Sequence, residues 1–273
     1  MPPPSDPPIR HPHESNRRHW DATAGSWAEK RERDGLWRRC PVEPELGFAG
    51  GAFDLVGSFI GDVKGKKACV IGCGDNYAGF ALAGMEADVT SVDISERQLE
   101  TASQRAKQLG LAINFVQADA MDLSSLGDRK YDLVCSTNGF FVWIADLRAV
   151  YGEVFRILKP GGYYIFYDVH PFQRPWKDGN RSIEVEKTYW QTGPLRDEKD
   201  GTFEFNWTLG DILNPLTDAG FVLRRVLERP AGDENYWGGS SFQSCNDKRL
   251  LDWKENPRAA LPVWFSAALQ KPV

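Results

Sequence analysis

The sequence predicts an α/β protein built on a doubly wound, mostly parallel sheet. Two observations carry this prediction. Apolar, strand-like segments alternate with helical segments through the middle of the chain, at residues 68–71, 87–92, 113–116, 131–136 and 163–167. The first segment stops at Gly72-Cys73-Gly74, and the second is followed directly by Asp93. Strands that alternate with helices form parallel sheets covered by helices on both faces.

The ends of the first two strands carry the chemistry of a nucleotide-binding site. Glycines let backbone approach a ligand closely, and the helix that follows presents free N–H groups. Asp93 comes about twenty residues after the glycines, where a carboxylate can accept hydrogen bonds from both hydroxyls of a ribose. A third strand is followed by Asp119. This ordered series predicts a nucleotide-like ligand.

The N-terminal part divides into a disordered arm and a helical region. Residues 1–13 are rich in proline and have almost nothing apolar to bury, which predicts disorder. From residue 14 to about 37, Trp20, Ala24, Trp27 and Arg31 recur at helical spacing. A second helix is predicted over 51–60, closed by Gly61.

The C-terminal part predicts an insertion and the last elements of the sheet. Residues 183–190 and 202–207 alternate between apolar and polar, which predicts a β-hairpin inside an insertion over about 169–207. Thr208 is placed to cap a helix that runs to residue 219 and ends at Gly220. Residues 221–227 and 263–269 supply two further strands.

Together with the turn Leu158-Lys159-Pro160-Gly161-Gly162, these segments resemble a class I S-adenosylmethionine-dependent methyltransferase of the small-molecule type, from Phe48 to the C-terminus. The resemblance implies a Rossmann-like, seven-stranded sheet whose last strand is antiparallel. It also implies a methyltransferase domain over 63–273, with residues 14–62 as a helical lid. The alternative interpretation is that Trp20 and Trp27 simply dock the first helix on the core.

The resemblance implies S-adenosyl-L-methionine as cofactor and S-adenosyl-L-homocysteine as product. The implied cofactor-binding residues are Gly72, Cys73, Gly74, Asn76, Asp93, Ile94, Asp119, Ala120, Met121 and Ser136. Two positions depart from the family pattern: Val70 replaces an acidic residue, and Asn76 replaces a glycine. Asn tolerates left-handed backbone better than most residues, so the loop is retained. Contacts near Val70 must come from elsewhere.

Other ligands for the glycine loop stay open. A dinucleotide-binding domain for NAD or FAD also places glycines after its first strand. Tyr77 falls where that fingerprint requires its third glycine, which disfavours it. A turn from strand to helix with no ligand is the remaining alternative.

Acceptor-binding residues are expected where strands four and five end and in the late insertions, because ligands of open α/β sheets lie at the carboxyl ends of strands. The candidates are Trp20, Asn138, Phe140, Trp143, Asp168, Trp207 and Trp237, with Tyr236 beside the last. His170 is the candidate general base. The alternative is a structural hydrogen bond that closes the turn before Pro171. Asp168 either orients the substrate or caps a turn.

Composition excludes several other classes. The net charge of -5 argues against a protein whose main partner is nucleic acid. No apolar stretch approaches the ~20 residues that span a bilayer, and the N-terminus lacks an apolar signal core, so the predicted location is the cytoplasm. Five cysteines without a Cys-x-x-Cys pair, and only four histidines, predict neither disulfides nor a metal site.

The predicted function is methyl transfer from S-adenosylmethionine to a small molecule, with an aromatic or hydrophobic metabolite methylated at oxygen favoured. Nitrogen or carbon acceptors, a macromolecular substrate, and a protein that binds the cofactor without turnover are the alternatives. A monomer or homodimer is expected.

Overall fold

A seven-stranded sheet forms the centre of the computed structural model, which describes residues 12–177, 183–237 and 245–273. Its strands are β1 (Lys67–Ile71), β2 (Asp88–Asp93), β3 (Ile113–Gln117), β4 (Tyr131–Ser136), β5 (Leu158–Val169), β8 (Val222–Arg229) and β9 (Trp264–Gln270). A separate hairpin contains β6 (Leu195–Arg196) and β7 (Phe203–Glu204). The sheet order is β3-β2-β1-β4-β5-β9-β8, and β9 alone runs antiparallel to the other six strands. The predicted fold class is confirmed.

Helices cover both faces of this sheet. They are α1 (Pro12–Asp34), α2 (Leu36–Arg39), α3 (Ala52–Phe59), α4 (Tyr77–Gly84), α5 (Glu96–Leu109), α6 (Leu147–Ile157) and α7 (Leu209–Asp218). Successive strand side chains point to opposite faces. Cys69 and Ile71 of β1 therefore pack on the side of α6 and α7, and Ala68 and Val70 pack on the side of α3, α4 and α5.

The N-terminal helix starts earlier and ends earlier than the sequence pattern indicates. It begins at Pro12, so Pro12 and His13 are helical where disorder was predicted; residues 1–11 lie outside the described part. It ends at Asp34, because Gly35 adopts a left-handed conformation with φ of 62°. Helix α2 begins at the next residue. The second predicted helix is α3.

The insertion contains the predicted hairpin, but the prediction of its first strand is wrong. Leu195–Arg196 pairs with Phe203–Glu204, whereas residue Val185 makes only an isolated bridge to Trp176. The physical reason is exposure, since Val185 and Trp190 are 63% and 76% exposed. The predicted α7 is confirmed, and Thr208 and Asp211 form a reciprocal capping box at its start.

Candidate active site

A cavity of about 560 Å³ follows the edge of the sheet where the parallel strands end. Because the strands lie in the order β3-β2-β1-β4-β5, the residues after them lie in the same order along the cavity. Neighbouring strands are about 4.8 Å apart, so the four spacings from β3 to β5 extend over about 19 Å. The cavity suits an elongated ligand with different groups at its two ends.

The glycine loop after β1 forms the middle of the cavity wall. Gly72 and Gly74 have φ of 58° and 45°, and Asn76 has φ of 60°. A Cβ on Gly72 would lie 2.5 Å from a ring carbon of Phe140, so no larger residue fits there. A Cβ on Gly74 would meet nothing within 4 Å, which shows that this backbone faces open space. The loop therefore leaves its backbone accessible to a ligand, as the glycine pattern predicts.

Asn76 also fits this loop. Its side-chain Oδ1 accepts a hydrogen bond from the Ser91 hydroxyl at 2.7 Å. The buried Nδ2 atom has no hydrogen-bond partner among the described residues. A buried amide donor without a partner is costly, so a ligand that accepts this bond would stabilise the loop.

Asp93 lies at the end of β2, beside the glycine loop. Its Oδ2 accepts the Gly74 N–H at 2.8 Å, and its Oδ1 accepts the Ser95 N–H at 2.9 Å. Burial raises the pKa of Asp93, and these backbone hydrogen bonds oppose the rise. Each carboxylate oxygen keeps a further lone pair for a ligand hydroxyl. Loop and carboxylate together fit the sugar and amino-acid parts of an adenosyl cofactor.

Asp119 follows β3 at the far end of the cavity and is joined to helix α1. The Nδ1 atom of His13 lies 2.7 Å from Asp119 Oδ2. The Nε2 atom of the same ring accepts the Ala145 N–H at 2.9 Å. His13 lines the cavity, although sequence reasoning placed it in a disordered arm. The missed signal was helical spacing, since His13 and Asn16 extend the stripe of Trp20 and Trp27 toward the N-terminus.

Two tryptophans predicted to bind the acceptor contact each other beside helix α1. Trp20 of α1 contacts Trp143 edge to face, with ring centroids 5.2 Å apart. The Trp143 carbonyl accepts a hydrogen bond from Asn16 Nδ2 at 3.4 Å, one helical turn from His13. Trp20 and Trp143 both line the cavity close to His13 and Asn16, and their role in binding the acceptor stays a prediction.

The opposite end of the cavity is aromatic. Asn138 and Phe140 after β4 line it, as predicted. Tyr167 of β5 and Trp264 of β9 complete it and contact each other, with ring centroids 6.1 Å apart. Burial raises the pKa of Tyr167, so its hydroxyl stays protonated. Sequence reasoning missed Tyr167 and Trp264 because both belong to apolar strand segments.

A partly buried ion pair also contributes to the cavity wall. Arg31 Nε lies 2.6 Å from Asp75 Oδ2, and Arg31 also contacts Asp34 at 3.2 Å. The Tyr77 hydroxyl lies 3.1 Å from Asp34. Arg31, Asp75 and Tyr77 all line the cavity. Arg31 belonged to the predicted helical stripe, but Asp75 was not singled out because it follows the glycines as an ordinary loop residue.

His170 lies outside the cavity. The ring is fully buried, its Nδ1 accepts the Phe172 N–H at 3.1 Å, and its Nε2 contacts Glu228 at 2.8 Å. Both nitrogens are therefore engaged, and burial lowers the pKa of the ring. The predicted role as general base does not fit this placement, whereas the alternative of a structural hydrogen bond before Pro171 does.

Asp168 and Ser136 also act behind the cavity wall. The Asp168 carboxylate accepts the N–H groups of Gly139 and Phe141 at 2.9 and 3.0 Å, so it shapes the loop after β4 without lining the cavity. The Ser136 hydroxyl is buried against the Tyr164 hydroxyl at 2.7 Å. The predicted direct contacts of these two side chains to substrate and cofactor do not fit this geometry.

The other predicted residues divide in the same way. Ile94 and Ala120 line the cavity, but Met121, Trp207 and Trp237 do not. Trp207 stacks on Phe205 and donates its indole N–H to the Ile144 carbonyl at 3.1 Å, which fixes the hairpin. The acceptor contacts predicted for Trp207 and Trp237 therefore do not fit the cavity.

Residues 12–177, 183–237 and 245–273 contain no group of three or more His, Cys, Asp or Glu side chains placed to hold a metal ion. No helix in these ranges combines the length and the apolar character that crossing a membrane requires.

Comparison with known proteins decides the class of the site. Residues 69–162 match the model of a family described as a methyltransferase domain. This match includes the glycine loop, Asp93, Asp119 and the loop after β4. The chain contains a class I S-adenosylmethionine-dependent methyltransferase domain. The methyltransferase is an enzyme that uses S-adenosylmethionine as its cofactor.

Individual relatives agree with this class. The methyltransferase is 28% identical to the uncharacterised methyltransferase YbaJ of Bacillus subtilis over 182 residues, which are 62% of this chain and 71% of that protein. It is 26% identical to the ubiquinone biosynthesis O-methyltransferase of Photorhabdus laumondii over 116 residues, 42% of this chain and 48% of that one. The match therefore spans about half of the second relative.

Solved structures share the fold. An S-adenosylmethionine-dependent methyltransferase from Mesorhizobium loti superposes with a TM-score of 0.59 at 21% identity, over 81% of this chain and 98% of that chain. Because the sequence identity is only 21%, this superposition shows that the two proteins share a fold.

Proposed function

We propose that the methyltransferase transfers the methyl group of S-adenosylmethionine to an oxygen atom of a small aromatic or hydrophobic molecule. The observation that carries the proposal is the continuous cavity that joins Asp119 and Asp93 at one end to Phe140, Tyr167 and Trp264 at the other. Aromatic walls favour flat or apolar ligands, because they bury large areas and stack.

Residues of the first three strand ends would hold the cofactor. Asp93 would accept hydrogen bonds from the ribose hydroxyls, and Asp119 from the adenine amino group. The Gly72–Gly74 backbone and the free Nδ2 of Asn76 would face the methionine half. The cofactor supplies a methyl group on a sulfonium, which is electrophilic without a metal ion.

The chain contributes orientation and exclusion of water. Holding two reactants in line replaces the entropy cost of an encounter in solution. Helix α1 covers the Asp119 end with His13, Asn16 and Trp20, so the cofactor would be enclosed before the acceptor is oriented. The Asp168 carboxylate fixes the loop that carries Asn138 and Phe140, and therefore the position of the acceptor wall.

The acceptor end favours a nucleophile that loses its proton easily. Of the described residues that line this end, Tyr167 is kept protonated by burial, and Asn138 does not titrate. His170 is engaged elsewhere. A phenol has an ordinary pKa near 10 and gives up its proton more readily than an aliphatic alcohol. We therefore favour a phenolic or similarly acidic hydroxyl as acceptor.

The name of one relative supports the same chemistry. The Photorhabdus laumondii protein is a ubiquinone biosynthesis O-methyltransferase. The cytoplasmic location and the monomeric or homodimeric state stay predictions from the sequence.

Calorimetry followed by a transfer assay tests the proposal. We expect the purified protein to bind S-adenosylmethionine and S-adenosylhomocysteine with micromolar affinity and to show no heat with NAD. Radiolabelled methyl groups should then pass to members of a panel of phenols and not to matched anilines. Transfer only to anilines would make the enzyme an N-methyltransferase. Binding without transfer to any of a broad acceptor panel would instead identify a cofactor-binding protein.

A further inference from the structure

His13 makes an unusually complete set of contacts for a residue near the start of a surface helix. Its side chain is 8% exposed. Nδ1 lies 2.7 Å from Asp119 Oδ2, and Nε2 lies 2.9 Å from the Ala145 backbone nitrogen. Neither partner is near in sequence, since Asp119 is 106 positions away and Ala145 is 132 positions away. The ring therefore joins α1 to two loops of the cofactor-binding edge.

These contacts fix which ring nitrogen carries the proton. A backbone N–H can only donate, so Nε2 must offer its lone pair to Ala145. Nδ1 then carries the hydrogen and donates it to Asp119. The bond is assisted by the charge of the carboxylate, which makes it stronger than a bond between neutral groups.

The carboxylate of Asp119 receives a donor on each oxygen. His13 donates to Oδ2, and the Met121 N–H donates to Oδ1 at 2.9 Å. Two donors hold the carboxylate in one orientation, and a carboxylate held in this way can only accept further hydrogen bonds. A ligand that meets Asp119 must therefore bring a donor of its own.

We propose that His13 is a positioning residue that makes Asp119 selective for a base with an exocyclic amino group. This inference rests on the proposed function, in which Asp119 faces the adenine. An amino group donates to the fixed carboxylate, whereas an oxo group at the same position places a lone pair against it. Without the His13 donor, the carboxylate can turn away from the base, so that it binds the amino group less well and repels the oxo group less.

A role limited to holding helix α1 gives a different expectation. Asn16 holds the same helix, because its amide donates to the Phe203 carbonyl at 2.9 Å and accepts the Phe203 N–H at 2.8 Å. Asn16 makes no hydrogen bond to Asp119 among those found in the described residues. Loosening α1 through Asn16 should weaken all adenosyl-like ligands alike.

The test compares two ligands that differ only in the base. S-adenosyl-L-homocysteine carries the amino group, and S-inosyl-L-homocysteine carries an oxo group in its place. Calorimetry gives the ratio of their dissociation constants. We expect the wild type to favour the adenosyl ligand by about 30-fold or more, the effect of one lost charge-assisted bond and one repulsion.

Two amide variants separate the contacts of His13. In His13→Asn the side-chain nitrogen occupies the place of Nδ1, so the donor to Asp119 is kept and the ratio should stay within about threefold of the wild type. In His13→Gln the amide reaches the place of Nε2 instead, so the donor is lost and the ratio should fall about tenfold. Asn16→Ala should weaken both ligands equally and leave the ratio unchanged.

Each outcome decides the matter. An equal loss of both ligands in His13→Gln would show that the residue only anchors α1 and would overturn the proposal. A wild type that binds both ligands equally would also overturn it, while leaving methyl transfer in place. If the wild type binds neither ligand nor S-adenosylmethionine, the proposed function itself fails. Thermal unfolding by circular dichroism checks that each variant is folded.

Discussion

At the scale of single residues, Asp93 is the most direct test of the cofactor site. Replacing it with alanine removes the carboxylate that faces the cavity beside Gly74. We expect Asp93→Ala to weaken S-adenosylhomocysteine binding by at least about 30-fold, since hydrogen bonds to a charged group contribute about 1.5–3 kcal/mol each. Calorimetry measures the change.

Asp88→Ala provides the matched control. Asp88 is an aspartate on the same strand β2, at its opposite end, where it is exposed and pairs with Lys67 at 3.3 Å. Its loss should leave cofactor affinity unchanged. Equal weakening by both substitutions would indicate that the strand, and not the Asp93 carboxylate, determines binding.

A second residue-scale prediction concerns the catalytic role of His170. Because the ring lies outside the cavity and contacts Glu228, His170→Gln should leave kcat for methyl transfer within about threefold of the wild type at neutral pH. Loss of one step of general base catalysis would instead cost at least about 100-fold. Steady-state kinetics on the folded variant distinguish the two.

The same residue should make folding stability depend on pH. Burial lowers the pKa of His170 below its ordinary value of 6.5. The unfolded state then binds more protons than the folded state as the pH falls through 6.5, so this contribution to stability is present above that pH and lost below it. Urea unfolding at pH 7, 6 and 5 should show a smaller loss of stability in His170→Gln than in the wild type. An identical pH dependence would contradict the prediction.

The sequence predicts residues of this site best where local pattern suffices. Asp93 and Asp119 are predicted as binding residues because each lies at the end of a strand, and both line the cavity. His13 was missed because its partners are more than 100 positions away, and no local pattern encodes such a pairing. His170 has the right position after β5, but its side chain turns to Glu228, which only the tertiary structure reveals.

At the scale of elements, the N-terminal cap of α7 stabilises the helix that follows the late insertion. Thr208 and Asp211 exchange hydrogen bonds, with the Thr208 hydroxyl accepting the Asp211 N–H at 3.1 Å. We expect Thr208→Val to destabilise the protein by about 1 kcal/mol, the usual contribution of a helix N-cap. Denaturant unfolding gives the difference. Thr217→Val, an exposed site in the last turn of α7, is the control and should change stability by less than about 0.5 kcal/mol.

Predicting elements from sequence succeeded where burial and pattern agree. The residues that cap α7 lie within four positions of each other in the sequence. Strand β4 spans residues 131–136, the range that its apolar pattern predicts. Residues 183–190 show an equally regular alternation, but Ile183, Val185 and Trp190 are 50%, 63% and 76% exposed. Alternation therefore predicts a strand only where another element is available to cover its apolar face.

At the scale of the whole molecule, the order of the strands determines which residues meet at the edge of the sheet that forms the cavity. Local sequence predicts the strands, while the resemblance supplied the antiparallel last strand. The order β5-β9-β8 brings Trp264 beside Tyr167, although the two are nearly 100 positions apart. The aromatic end of the cavity is thus a product of topology, and no single segment of sequence indicates it.

The distribution of thiols gives a prediction for the whole fold. Cys40, Cys69, Cys73 and Cys135 are buried, and only Cys245 is partly exposed. Burial raises the pKa of Cys40 and of Cys69 to about 12, which suppresses their reactive thiolates. A thiol reagent should therefore label one cysteine quickly in the native protein and all five in denaturant. Rapid native labelling of two or more would show that the core opens more readily than its packing implies.

Helix α1 has a consequence for the speed of turnover. It covers the cavity, yet only His13, Asn16 and Ala24 of its 23 residues are buried, so little of its apolar surface is fully buried. Segments with little buried apolar area open locally at a lower free energy than the core. We expect spent nucleotide to leave through brief detachment of α1, so changes that tighten or loosen this helix should change the rate of product departure.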